Sequence, residues 1–134
     1  MPTLERLEEL VFLITHAQSI YLRCSPSPAA DAARPSIDYE SGLPMSGLSA
    51  NPLKQPGWWT LPPEDWVARR LCQCLRDVAA DARPWVLIGK VVDHGPANEP
   101  LLADVRPIAW LSESMVRQAR EHYRGRLHER WTTS

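Results

Sequence analysis

Proline sets the strongest limit on how this chain can fold. Eight of its 13 prolines (Pro26, Pro28, Pro35, Pro44, Pro52, Pro56, Pro62 and Pro63) fall between Ser25 and Pro63, together with Gly42, Gly47 and Gly57. Each proline removes an amide donor and fixes φ, so neither a long helix nor a central strand is expected there. A connection of this length is usually functional or disordered. Leu43, Met45, Leu48, Leu53, Trp58 and Trp59 favour an ordered loop packed on the body, with one short strand at Ser46 to Ala50.

Regular periodicity lies on either side. Leu4, Leu7, Leu10, Val11 and Ile14 recur at helical spacing, which predicts a helix over 3–18 with Thr3 as its N-cap. Ile20, Leu22 and Cys24 alternate with Tyr21 and Arg23, the pattern of a half-buried strand. A second helix is expected over 64–80, opened by Pro62 and Pro63 and carrying Trp66, Val67, Leu71, Cys74, Leu75 and Val78 on its buried stripe. Trp85 to Val92 is a β-branched, apolar run that reads as a central strand. A turn at 93–96 leads to an extended segment, Leu101 to Leu111, whose Pro107 implies an edge or a bulge. The two strands pair antiparallel, and a third helix starts near Ser112. The fold class is α+β: a small, mostly antiparallel sheet with about three helices and a long ordered Pro/Trp-rich loop. The 134 residues suit a single domain over 1–134, with the loop at 25–63 and a polar tail at 125–134.

Composition narrows the functional classes. No apolar run approaches the roughly 20 residues of a membrane-spanning helix, so no membrane partner is expected. The formal net charge of -1 provides no overall field for a polyanion. Glutamates interrupt the arginines at 117–130, and pairs such as Glu113 with Arg117 make a solvated helix the simpler reading, so nucleic acid is an unlikely partner. Three cysteines, Cys24, Cys72 and Cys74, are too few for a disulfide framework and point to a reducing compartment. An N-terminus without a basic leader agrees with a cytoplasmic location. Cys72 and Cys74 would point about 200° apart on a helix and cannot share a metal. Histidines at 16, 94, 122 and 128 lack ligand spacing, so they read as surface or capping residues and no metal is expected.

Three places retain chemical interest. Arg23 lies opposite Ile20 and Leu22 on the first strand, either on a solvated or ion-paired face or lining a cleft. Ser49 and Asn51, in the run Gly47 to Leu53, offer a hydroxyl and an amide to a ligand, or form a turn before Pro52. Trp58 and Trp59 form an aromatic wall or anchor the loop. Glu99, at the lip of a strand with His94 and Asn98 nearby, projects into a cleft or stays a surface carboxylate at a hairpin end.

The segments Tyr21-Leu22-Arg23-Cys24-Ser25, GLSANPL at 47–53, Trp58-Trp59, WVARRL at 66–71 and GPANEPLL at 95–102 resemble a family of small bacterial proteins without an assigned activity. The resemblance runs from the first strand to Leu111. A more distant likeness is to mono-ADP-ribosyltransferases, in the order Arg23, Ser49, Glu99 along the chain. That likeness implies NAD as cofactor. Arg23 would hold a phosphate or ribose; Ser49 would support the nicotinamide side. Glu99 would stabilise the oxocarbenium-like sugar as nicotinamide leaves. Asn51, His94 and Asn98 would line the cofactor site, with Trp58 or Trp59 stacked on the nicotinamide. Ala97, two residues before Glu99, departs from members that carry an acidic or amide residue there. The rival is a non-catalytic small-molecule or protein-binding, regulatory module.

Overall fold

The computed structural model describes residues 1–17, 19–76 and 78–125. The order is β1 (Thr3–Leu4), α1 (Leu7–His16), β2 (Tyr21–Ser25), α2 (Pro28–Ala33), β3 (Leu48–Ser49) and β4 (Asn51–Pro52). Then come α3 (Pro63–Cys74), β5 (Arg83–His94), β6 (Pro100–Leu111) and α4 (Glu113–Tyr123). The fold is α+β, as its sequence pattern implies, but the described residues form four helices and a mixed sheet. The sheet order is β1-β6-β5-β2-β4; β1 runs parallel to β6 and the other pairs are antiparallel.

The long β5–β6 hairpin is its backbone, and it is bent. Three register shifts interrupt it, the first where Leu87 pairs with Pro107 one residue out of step, so the bulge Pro107 implied is present. The bend lets the proline-rich segment close the sheet. β3 pairs with β6 (Leu48 opposite Leu102), while β4, one residue further on, pairs with β2 (Asn51 opposite Leu22). Gly47 makes the approach possible, because a Cβ there would sit 2.9 Å from the Leu102 backbone nitrogen and oxygen.

Curling divides the core between two sheet faces. On one, Leu22 and Val86 meet Leu7, Leu10 and Ile14 of α1, Val67, Ala68 and Leu71 of α3, and Met115 and Ala119 of α4. On the other, Tyr21, Ala50, Trp85, Leu87 and Leu102 pack together, and the Trp85 indole N–H donates to the Ser25 hydroxyl at 2.9 Å. β2 is therefore covered on both faces, not half-buried as its alternation suggested.

Several boundaries differ from the sequence reading. Thr3 is not an N-cap but lies in β1; α1 begins three residues past Leu4, and the Glu9 carboxylate reaches back to accept from the Arg6 N–H at 3.0 Å. The Gln118 side chain secures the same end, accepting from the Leu7 N–H and donating to the Glu5 carbonyl, each at 3.1 Å. The loop is held by Leu53, Ala50 and Leu48, whereas Leu43 and Trp58 are exposed. It also contains α2, started by Pro28 with the Ser27 hydroxyl accepting from the Ala30 N–H. The second predicted helix ends at Cys74, so Val78 lies beyond it and is exposed. β5 runs to His94, which moves the hairpin turn to 95–99. α4 starts as predicted, with the Ser112 hydroxyl accepting from the Met115 N–H at 3.0 Å. The tail from 126 lies outside the described residues. Among the described residues, no helix is long and apolar enough to cross a membrane.

Candidate functional site

Arg23 shares a face of β2 with Tyr21 and Ser25, so its charge turns toward the side that the proline-rich segment covers. Partners meet it there. Nε and Nη2 donate to the two Asp31 carboxylate oxygens, each at 3.2 Å, and Nη1 donates to the Ser49 carbonyl at 3.1 Å. The two side chains are only 26% and 12% exposed, so this two-pronged pair is partly desolvated. The short helix α2 puts Asp31 in reach.

The segment after α2 forms a strap. Ile37 bridges Pro44, the Met45 N–H donates to the Ser36 carbonyl at 2.7 Å, and the buried Ser36 hydroxyl accepts from the Ser49 N–H at 3.0 Å. Within the strap the Asp38 carboxylate accepts from the Ser41 hydroxyl at 2.6 Å and the Ser41 N–H at 3.3 Å. The Ser41 hydroxyl, above all, holds the Asp38 carboxyl below its ordinary range.

Glu99 closes the opposite wall. The Gly95 N–H donates to the Glu99 carbonyl at 2.8 Å, the Asn98 N–H to the Gly95 carbonyl at 2.9 Å, and the Ala97 N–H to Glu99 Oε2 at 2.9 Å. Asn98 takes φ 61°, the left-handed conformation the turn needs. Gly95 leaves room for the carboxylate, on which a Cβ would fall.

Arg23, Ser49 and Glu99, remote in the chain, thus line one cleft of about 460 Å³ with Ser36, Asp38, Tyr39 and Glu40. Its charges are unequal. The guanidinium is matched by Asp31, whereas Asp38, Glu40 and Glu99 all lie on the lining, and the fully exposed Tyr39 stands at the edge.

The other expected site residues lie elsewhere. Asn51 is in β4 opposite Leu22, and His94 ends β5 exposed, its N–H donating to the Asp93 side chain at 2.8 Å. Asn98 serves the turn. None of the three lines the cleft. Trp58 and Trp59 pack edge-on against each other and against Trp66 of α3, at 5.0 to 6.1 Å between ring centroids. Arg69 lies over Trp59 and Trp66, and Trp59 Nε1 donates to the Pro62 carbonyl at 3.2 Å. The tryptophans therefore anchor the start of α3 and form no wall of this cleft.

Sequence reasoning missed three partnerships. Asp31 is the counter-charge of Arg23. Asp65, wholly buried in the first turn of α3, pairs with His122 of α4, which is therefore more than a surface or capping histidine. Cys74, packed against the core at the end of α3, pushes the Cys24 thiol of β2 up, and burial raises the Cys72 thiol. Only Ser27-Pro28, a helix start, signalled any of these. The expected Glu113–Arg117 pair is not formed: the ion pairs among the described residues are Arg6–Glu8, Arg23–Asp31 and Asp65–His122.

No curated protein and no solved structure matches the chain. One family model does match, over residues 1–132, further in both directions than the segments that carried the resemblance. By that match the chain belongs to DUF6098, a family of unknown function.

Proposed function

We propose that the protein is a non-catalytic binding module whose cleft between the 36–40 strap and the 95–99 turn takes a small organic cation, a primary amine or guanidine. One observation carries this reading: the guanidinium of Arg23 is already matched by Asp31, so the unbalanced charges on the lining are the carboxylates of Asp38, Glu40 and Glu99. An ammonium or guanidinium would be drawn by them and would find an aromatic face in Tyr39. The Ser49 and Ser36 hydroxyls supply polar contacts that orient a ligand.

A second reading, ADP-ribosyl transfer from NAD, is favoured by the shared cleft of Arg23, Ser49 and Glu99. It needs Arg23 to leave Asp31 for a phosphate and Glu99 to leave the Ala97 N–H for the sugar. It also sets a diphosphate beside three carboxylates and has no indole to stack on nicotinamide. Titration calorimetry with alkyl diamines, arginine-like guanidines and NAD separates the readings. Saturable, salt-weakened binding of a cation with no heat from NAD is expected. Binding of NAD, with release of nicotinamide on incubation, would replace the first reading by the second.

A further inference from the structure

Arg117, Arg120 and Arg124 recur at i, i+3 and i+7 on α4, so one exposed stripe of that helix carries three guanidiniums. They line a cleft of about 1230 Å³ between α4, the end of α3 and the start of β5. Arg83 lines it from β5, its guanidinium fixed 3.9 Å over the Trp110 ring. Glu113 and Glu121 stand one helical turn either side of Arg117, yet among the described residues none of the four arginines forms an ion pair or a side-chain hydrogen bond. The lining thus holds four guanidiniums against three carboxylates, those of Glu5, Glu113 and Glu121.

We propose that this arginine-lined cleft is a second binding site, for a phosphorylated sugar or polyol. Charge decides the class. A phosphate monoester is chiefly a dianion above pH 7, with three terminal oxygens that the N–H forks of neighbouring guanidiniums grip in pairs. The carboxylates on the lining accept from hydroxyls of the organic part, which a bare phosphate or an aliphatic phosphate lacks. Leu75, Pro84 and Val116 add apolar wall for the carbon skeleton, and the volume exceeds what an inorganic ion needs. NAD, whose two phosphates are bridged and carry one charge each, offers these guanidiniums no dianion, so the site stays silent in the titrations that test the other cleft. The two clefts share no lining residue, and this proposal does not depend on what the first one binds.

The test is titration calorimetry of the full chain at pH 8 with glucose 6-phosphate, ribose 5-phosphate and glycerol 3-phosphate, and in parallel with glucose and inorganic phosphate. At least one of the three phosphate esters should bind saturably and more weakly as salt rises, with inorganic phosphate at least tenfold weaker and glucose giving no heat. Arg117→Gln and Arg120→Gln should each lower that affinity at least tenfold while Tm stays near the parent value, since both side chains are exposed and form no ion pair. Arg106→Gln, an exposed position on β6 outside the cleft, should bind as the parent does and controls for overall charge. Failure of all three esters to bind at millimolar concentration, inorganic phosphate binding as tightly as the best ester, or an equal loss in Arg106→Gln would each overturn the proposal. So would binding that survives both Arg117→Gln and Arg120→Gln.

Discussion

Replacing Asp31 by asparagine tests the charge arithmetic of the cleft, because it removes one negative charge and nearly no volume. Asp31 accepts two charge-assisted bonds from Arg23, both at 3.2 Å, from a carboxylate 12% exposed to a guanidinium 26% exposed. Bonds to charged groups contribute roughly 1.5–3 kcal/mol, less where water screens them, and the asparagine carbonyl keeps one acceptor. The expected destabilisation is about 2 kcal/mol, a fall in Tm of roughly 7 °C for a domain of this size. Binding should change with it. An unmatched guanidinium on the lining opposes a bound cation by about 1 kcal/mol across a half-solvated cleft, so amine affinity should fall between five- and tenfold while an anion gains. Thermal melts and calorimetry on the same variant read both effects. An Asp31→Asn protein that binds amines as well as the parent would refute the reasoning, even if its Tm fell as expected.

Other substitutions test the parts that build the cleft. Gly47→Ala puts a methyl group 2.9 Å from the Leu102 backbone; it should cost about 1–3 kcal/mol in chemical denaturation and speed hydrogen exchange in β3 and the facing part of β6. Trp85→Phe leaves a gap in a fully buried site and strips the Ser25 hydroxyl of its indole donor, for an expected loss of roughly 2–4 kcal/mol by denaturant titration. Asp38 provides a pH test: its carboxyl is held low in the folded chain, so the contribution of the 38–41 turn is complete above the ordinary carboxylate value of about 4 and is lost as pH falls through the lower folded value. Ser41→Ala should shift the Asp38 titration upward by NMR, and an unchanged midpoint would contradict the assigned cause.

Much of the frame was legible in the chain because periodic patterns report on packing face by face. The run at 85–92, its partner across the turn, and the helix that starts at Ser112 all stand where their patterns put them. The curl was not legible. It depends on two-residue strands either side of Ala50, too short for any periodicity, and on a glycine whose role shows only against Leu102. The start of α2 at Ser27-Pro28 went unread, because the proline density around it pointed to a loop. At the site, the residues Arg23, Ser49 and Glu99 could be picked out as polar groups at strand ends. Their state could not, since Asp31 neutralises Arg23 through a helix that the proline pattern hid. The tryptophans show the opposite case: adjacency at 58–59 suggested a ligand wall, and Trp66, seven residues on, takes up their faces instead.

The most direct test of a cation-binding cleft is to map amide chemical shifts in the labelled protein during titration with an alkyl diamine and, separately, with NAD. The account predicts saturable shifts from the diamine confined to the amides of Arg23, Ser36 to Glu40, Ser49 and Ala97 to Glu99, with NAD leaving them in place. Shifts from NAD at those amides, or from the diamine only at residues outside the cleft, would contradict it.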